Sequence, residues 1–133
     1  MRVFISHSRK DTPVARQLAR RLSEAGLKVW FPEDEILPGD NWALKVGQAL
    51  EESDLMVVLV TPHAFESEWL KEETQYALTA EQYKGRLIPV FLGPQSETSS
   101  DMPWILRKLN PVRIGGSEED WQQVVNKVQT FAE

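Results

Sequence analysis

LMVVLVTPHAF, residues 55–65, is the stretch that decides the fold. Leu55–Val60 is apolar at every position. A strand with one face in water alternates polar and apolar residues, so an unbroken run of this length predicts a strand covered on both faces. Thr61-Pro62 stops it. A doubly covered strand belongs in the middle of a parallel sheet, and parallel neighbours must be reached through helical crossovers.

The flanking sequence supplies those crossovers. Upstream, Val3, Phe4 and Ile5 form a short buried strand that ends in polar residues. Asp11 or Thr12 is placed to cap a helix, with Pro13 at its first position. Val14, Ala15, Leu18, Ala19, Leu22 and Ala25 follow at helical spacing, and Gly26 ends the helix. A second strand runs from Leu27 to Phe31. The ten-residue loop PEDEILPGDN leads to Asp40, the expected cap of a second helix with Trp42, Val46, Ala49 and Leu50 on one face.

Downstream, Ser67 is the expected cap of a third helix reaching about Gln82. Leu87 to Leu92 is the fourth strand. Pro89 within it lacks a ladder donor, which suggests a place near a sheet edge or a bulge. A Pro/Ser-rich loop from Gly93 to Pro103 precedes a short helical piece at Trp104 to Leu109, and Val112 to Ile114 is a last strand. Ser117 and Asp120 resemble a capping box for a closing helix that buries Trp121, Val124, Val125, Val128 and Phe131. The whole pattern predicts one α/β domain over 1–133, a doubly wound five-stranded parallel sheet of flavodoxin-like order 2-1-3-4-5.

Bulk properties exclude several function classes. The net charge of −5 argues against a nucleic-acid or anionic-membrane binder. Arg9, Lys10, Arg16, Arg20 and Arg21 form a local basic group, read as a solvated helix face. The absence of cysteine removes disulfides, thiolate metal sites and a cysteine nucleophile, and two histidines give no metal signature. The longest aliphatic run is strand-length, so no membrane span is expected. Met1 leads almost directly into a strand, so no secretory leader is expected and a cytoplasmic location follows by default.

In this sheet order, ligands bind at the carboxyl ends of strands 1 and 3. Ser6-His7-Ser8-Arg9 and Thr61-Pro62-His63-Ala64 stand there. They lack the acidic residues of a phosphorelay receiver, the glycine of a phosphate loop and the GxGxxG of a dinucleotide fold. The third helix is more informative. Trp69, Glu73, Ala77 and Ala80 share an inward stripe, whereas Glu72 faces solvent. Glu73 is thus a carboxylate bordering the crevice. It is either an acid/base or oxocarbenium-stabilising group or a structural carboxylate held by an arginine or backbone N–H groups. In the long acidic loop, Ile36 and Leu37 suggest a partner surface, against the alternative that the pair tucks back onto the domain. Trp104 and Trp121 read as core or staple residues. Trp30, Trp42 and Trp69 are placed to line an aromatic-binding site, although core packing is the commoner role of each.

These residues resemble a family. VFISHSRKD at 3–11 resembles the first conserved box of TIR (Toll/interleukin receptor) domains. GLKVWFPEDEILPGDNW at 26–42 is similar to the second box with its BB loop, in wording closer to bacterial members. SEWLKEETQYAL at 67–78 is similar to the segment with the family's catalytic glutamate, and RLIPVFL at 86–92 to the strand after it. The resemblance implies either cleavage of NAD+, as substrate and not cofactor, to nicotinamide and linear or cyclic ADP-ribose, or non-catalytic TIR–TIR scaffolding. The glutamate favours the enzyme, in the setting of bacterial anti-phage defence. On this reading Glu73 is catalytic. Phe4, Ile5, Ser6, His7 and Trp69 line the substrate crevice, with Trp30 and Phe31 on the opposite wall. Asp34, Ile36, Leu37, Pro38, Gly39 and Asp40 serve the BB loop and assembly with other TIR protomers. A sensor domain or subunit is implied, since the length leaves no room for one. One position departs from the family pattern: Pro32 stands where an acidic residue is common, and Glu33 and Asp34 are its substitutes. A nucleoside deoxyribosyltransferase-like enzyme shares this chemistry, but the two boxes argue against it.

Overall fold

The computed structural model describes residues 1–94, 96 and 101–132. Five strands, β1 (Arg2–Ser6), β2 (Lys28–Trp30), β3 (Leu55–Val60), β4 (Leu87–Leu92) and β5 (Val112–Ile114), make one sheet. Its order is β2-β1-β3-β4-β5 and every pair is parallel. β3 lies at its centre and is buried throughout, as its unbroken apolar run requires.

The helices are α1 (Thr12–Glu24), α2 (Pro32–Glu35), α3 (Trp42–Glu52), α4 (Glu68–Thr79) and α5 (Glu118–Ala132). Each strand sends alternate side chains to opposite faces. Val3, Ile5, Leu55, Val57, Leu59, Ile88 and Val90 pack with Leu18 and Leu22 of α1 and Trp121, Val124 and Val128 of α5. Phe4, Met56, Val58, Val60 and Phe91 pack on the other face with Val46, Ala49 and Leu50 of α3 and Leu70 and Ala77 of α4. Two separate cores therefore clamp the sheet.

Several local expectations need correction. The 32–41 segment is not all loop, because Pro32 starts the short helix α2. Asn41, not Asp40, caps α3: its side chain accepts from Leu44 N, while Asp40 accepts from Leu37 N and closes the turn before it. Asp11 occupies the cap position of α1 without capping, because its carboxylate is taken by Thr61 and His63. α4 stops at Thr79, and one turn of 3-10 helix at Glu81–Tyr83 follows.

Pro89 is inside the sheet and not at its edge. Met56 N donates to Arg86 O, so the N–H groups of Ile88 and Val90 face β3 and the Pro89 nitrogen faces β5. The β5 ladder begins only at Val90, so the missing donor costs nothing. Trp121 is buried as expected, but Trp104 is 66% exposed. Within the 93–103 loop, residues 95 and 97–100 lie outside the described residues. Among the described residues, no helix is long and apolar enough to cross a membrane and no group of His, Cys, Asp and Glu could hold a metal ion.

Candidate functional site

A cleft of about 310 Å³ opens at the carboxyl end of β1, where the winding of the sheet reverses. Ile5, His7, Ser8, Arg9 and Lys10 line it from β1 and the following turn. Pro32 and Glu33 line it from α2, Trp42 from α3, and Glu66, Ser67, Trp69 and Glu73 from the approach to α4 and α4 itself. A larger cavity, about 550 Å³, lies at the opposite end of the sheet beside the start of β4, with Lys84, Lys108 and Lys127 in its wall. Glu73 does not line it. The conjunction of a buried carboxylate and aromatic walls favours the smaller cleft as the site.

α4 sets Glu73 in place. The Ser67 side chain accepts from Leu70 N and caps the helix. Leu70, Glu73, Thr74 and Ala77 form its buried face, and Glu72 faces solvent as its helical phase requires. Glu73 is 6% exposed. Its Oε1 accepts a hydrogen bond from the Ser6 hydroxyl at 2.7 Å. Among the described residues no arginine, lysine or histidine pairs with it, so the structural ion-pair alternative fails. Burial pushes its carboxyl up to about 8; the Ser6 hydrogen bond works against that rise, and the charges of Glu33 and Glu72 add to it.

A second carboxylate sits across the strand end. Glu33 Oε1 lies 3.3 Å from His7 Nε2 and accepts from the Thr12 hydroxyl at 3.3 Å. Burial alone would raise this carboxyl, but the His7 contact and the Thr12 hydroxyl bring it below the usual carboxylate value. The His7 ring is packed 5.2 Å from Phe31. Trp42 and Trp69 meet with centroids 6.3 Å apart, and the Arg9 guanidinium stands 5.1 Å from the Trp42 ring. Glu33 Oε2, His7 Nδ1 and Trp42 Nε1 are buried without a hydrogen-bond partner among the described residues. Buried polar atoms are rarely left so, and these three belong to residues of the cleft wall.

The expected site residues separate into three groups. Ile5, His7, Trp69 and Glu73 line the cleft, and Ser6 lies behind it on Glu73. Phe4 and Trp30 do not reach it: they stack on each other, 5.1 Å apart, inside the core. Phe31 is buried against the other core, between His7 and Arg16. In the BB loop, Asp34 pairs with Arg16, Ile36 packs against the core, and Leu37 is 65% exposed. Pro38 and Gly39 are exposed, and Gly39 has a positive φ of 93° that favours glycine. Ser8 and Arg9 line the cleft, as their place after β1 predicts, whereas residues 61–64 after β3 do not; Lys10, Pro32, Glu33, Glu66 and Ser67 were not expected in the lining. The basic pair Arg9-Lys10 directly after β1 was the available signal for Lys10.

The TIR domain family profile matches residues 3–128. The chain belongs to the TIR domain family. This TIR domain is 30% identical over 129 residues to the NAD(+) hydrolase TcpA of Theionarchaea archaeon (strain DG-70-1), a match covering 95% of this chain and 38% of that protein. It is 35% identical over 91 residues to the probable 2' cyclic ADP-D-ribose synthase BdTIR of Brachypodium distachyon, covering 67% of this chain and 39% of that one. A solved metazoan TIR-STING receptor from C. gigas superposes with a TM-score of 0.76 at 26% identity, over 95% of this chain and 39% of that chain. The TIR domain thus spans about two fifths of the length of these relatives.

Proposed function

We propose that this TIR domain is a bacterial-type NAD+ nucleosidase that cleaves the nicotinamide–ribose bond, with Glu73 as its catalytic carboxylate. The observation that carries the proposal is Glu73 itself: buried, held by Ser6, raised to about 8, and set in the wall of the β1 cleft. The relatives named as an NAD(+) hydrolase and a cyclic ADP-D-ribose synthase support the same reading. The chemistry needs little else. Nicotinamide is cationic in NAD+ and leaves neutral, carrying the bond's electron pair on its ring nitrogen. The ribose C1′ becomes oxocarbenium-like, and a nearby carboxylate stabilises it. A cationic ring beside Glu73 favours its ionised form, and the Ser6 hydroxyl holds that form in place. Water adding at C1′ gives ADP-ribose and a proton; a hydroxyl of the same nucleotide adding there gives a cyclic product.

The cleft volume is at the low end for ligand sites, which suits the nicotinamide riboside end of the dinucleotide. Arg9 and Lys10 at its rim face the diphosphate, and Trp69 and Trp42 form its aromatic wall. Leu37, exposed at the tip of the BB loop, docks on a second protomer, and the site is fully active only in that assembly. The same exposed tip favours the second reading, a TIR–TIR scaffold or signalling adaptor without catalysis.

Nicotinamide release from NAD+ by concentrated or crowded protein tests the proposal, with wild type compared to Glu73→Ala. Loss of about two orders of magnitude or more in kcat is expected. Equal turnover by the variant sinks the catalytic role, and no turnover under any assembling condition favours the scaffold.

A further inference from the structure

Ser6 and His7 are consecutive residues at the end of β1, and each holds one carboxylate of the cleft: Ser6 binds Glu73 and His7 binds Glu33. Consecutive residues of a strand point to opposite faces. The two carboxylates therefore flank the strand end from different elements, Glu73 from α4 and Glu33 from α2, and both line the one cleft. Their surroundings push them in opposite directions. Such a divided pair marks two separate tasks.

We propose that Glu33 is the specificity-determining anion of the cleft, which recognises the positive charge of a nicotinamide ring quaternised at nitrogen and so selects oxidised, cationic pyridine nucleotides over neutral ring compounds. This inference rests on the glycosidic reading and names how that site chooses its substrate. Three observations carry it. Glu33 has one oxygen committed to His7 and Thr12, while Oε2 is buried and unpartnered among the described residues. The cleft has aromatic walls at Trp42 and Trp69, which fit a flat ring. Among the described residues neither cation of the cleft wall pairs with Glu33: Arg9 stands over Trp42 and Lys10 reaches Glu66. The other charged groups around Glu33 leave its role intact. His7 faces it from β1, and Arg16 of α1 is occupied by Asp34. Glu73, facing it from α4, is pushed by burial toward its protonated form, whereas the His7 and Thr12 contacts of Glu33 favour its ionised form.

Binding of two ring probes tests this without turnover: 1-methylnicotinamide, which is cationic, and nicotinamide, which is neutral and nearly the same shape. Calorimetry or NMR titration is run in the wild type and again in a Glu73→Gln background, in which Glu73 adds no charge of its own to the comparison. The wild type is expected to bind the cation about fivefold more tightly, the worth of one partly shielded charge pair. Glu33→Gln brings the ratio to about one, and Glu33→Asp keeps a cation preference. A ratio unchanged in Glu33→Gln, or no preference in the wild type, overturns the proposal. Should Glu33→Gln fail to fold, the wild-type ratio and Glu33→Asp decide it. Nicotinamide release from NAD+ by the same wild-type preparation separates the two readings. Turnover without a cation preference removes Glu33 and spares the nucleosidase; a cation preference without turnover does the reverse.

Discussion

At the scale of single residues, Glu73 links stability to pH. Its carboxyl titrates near 8 in the folded chain and at 4.5 ordinarily. The folded state therefore holds the proton more tightly, and this contribution to stability is full below pH 4.5 and is lost as pH rises through 8. Glu73→Gln is expected to raise the melting temperature at pH 9 and to leave it nearly unchanged at pH 5; equal melting curves at pH 9 would contradict the burial argument. Ser6→Ala removes the hydrogen bond that opposes the rise, so the Glu73 titration, followed by NMR, is expected to move upward. Helical phase alone told Glu73 from Glu72. It could not name Ser6 as the partner, because that contact spans 67 positions and exists only once β1 and α4 are packed together.

At the scale of elements, two hydrogen-bonded devices hold the loops around the cleft. Ser67 caps α4 and fixes the turn from which Trp69 and Glu73 project, so Ser67→Ala is expected to cost about 1 kcal/mol in urea denaturation, with Ser67→Asp close to wild type. Asp11 accepts from Thr61 at 2.7 Å and from His63 at 3.0 Å, tying the loop after β1 to the loop after β3. Asp11→Ala strands the buried Thr61 hydroxyl, while the partly exposed His63 can turn to water, and a loss of about 1–3 kcal/mol by the same measurement is expected. The cap at Ser67 was legible because a hydroxyl stood before a helical run. The assignments at Asp11 and Asp40 failed for a common reason: an aspartate at a helix start can cap, close a turn or reach a distant donor. Only the tertiary structure chooses among these.

At the scale of the whole molecule, the strand order followed from one buried strand and the alternation of elements, because parallel connectivity leaves few topologies open. Which aromatic residues line the cleft was not legible. Phe4 and Trp30 are as apolar as Trp42 and Trp69, and only the sheet and helix faces on which they fall send the first pair inward. Exposure at Leu37 makes a separable prediction. Leu37→Asp is expected to leave monomer stability within about 0.5 kcal/mol of wild type. It is also expected to abolish the concentration dependence of NAD+ turnover and of light scattering. A variant that still associates like wild type would exclude the loop tip from the assembly.

The neighbouring positions of Ser6 and His7 make the strand a fixed spacer between two acids. Its period is two residues, so one residue inserted just before Ser6 shifts every following side chain to the opposite face. Glu73 would then meet the inserted side chain, and Glu33 would meet serine in place of histidine. The two carboxylates are therefore indexed together by one dipeptide, and a change of length there disturbs both at once.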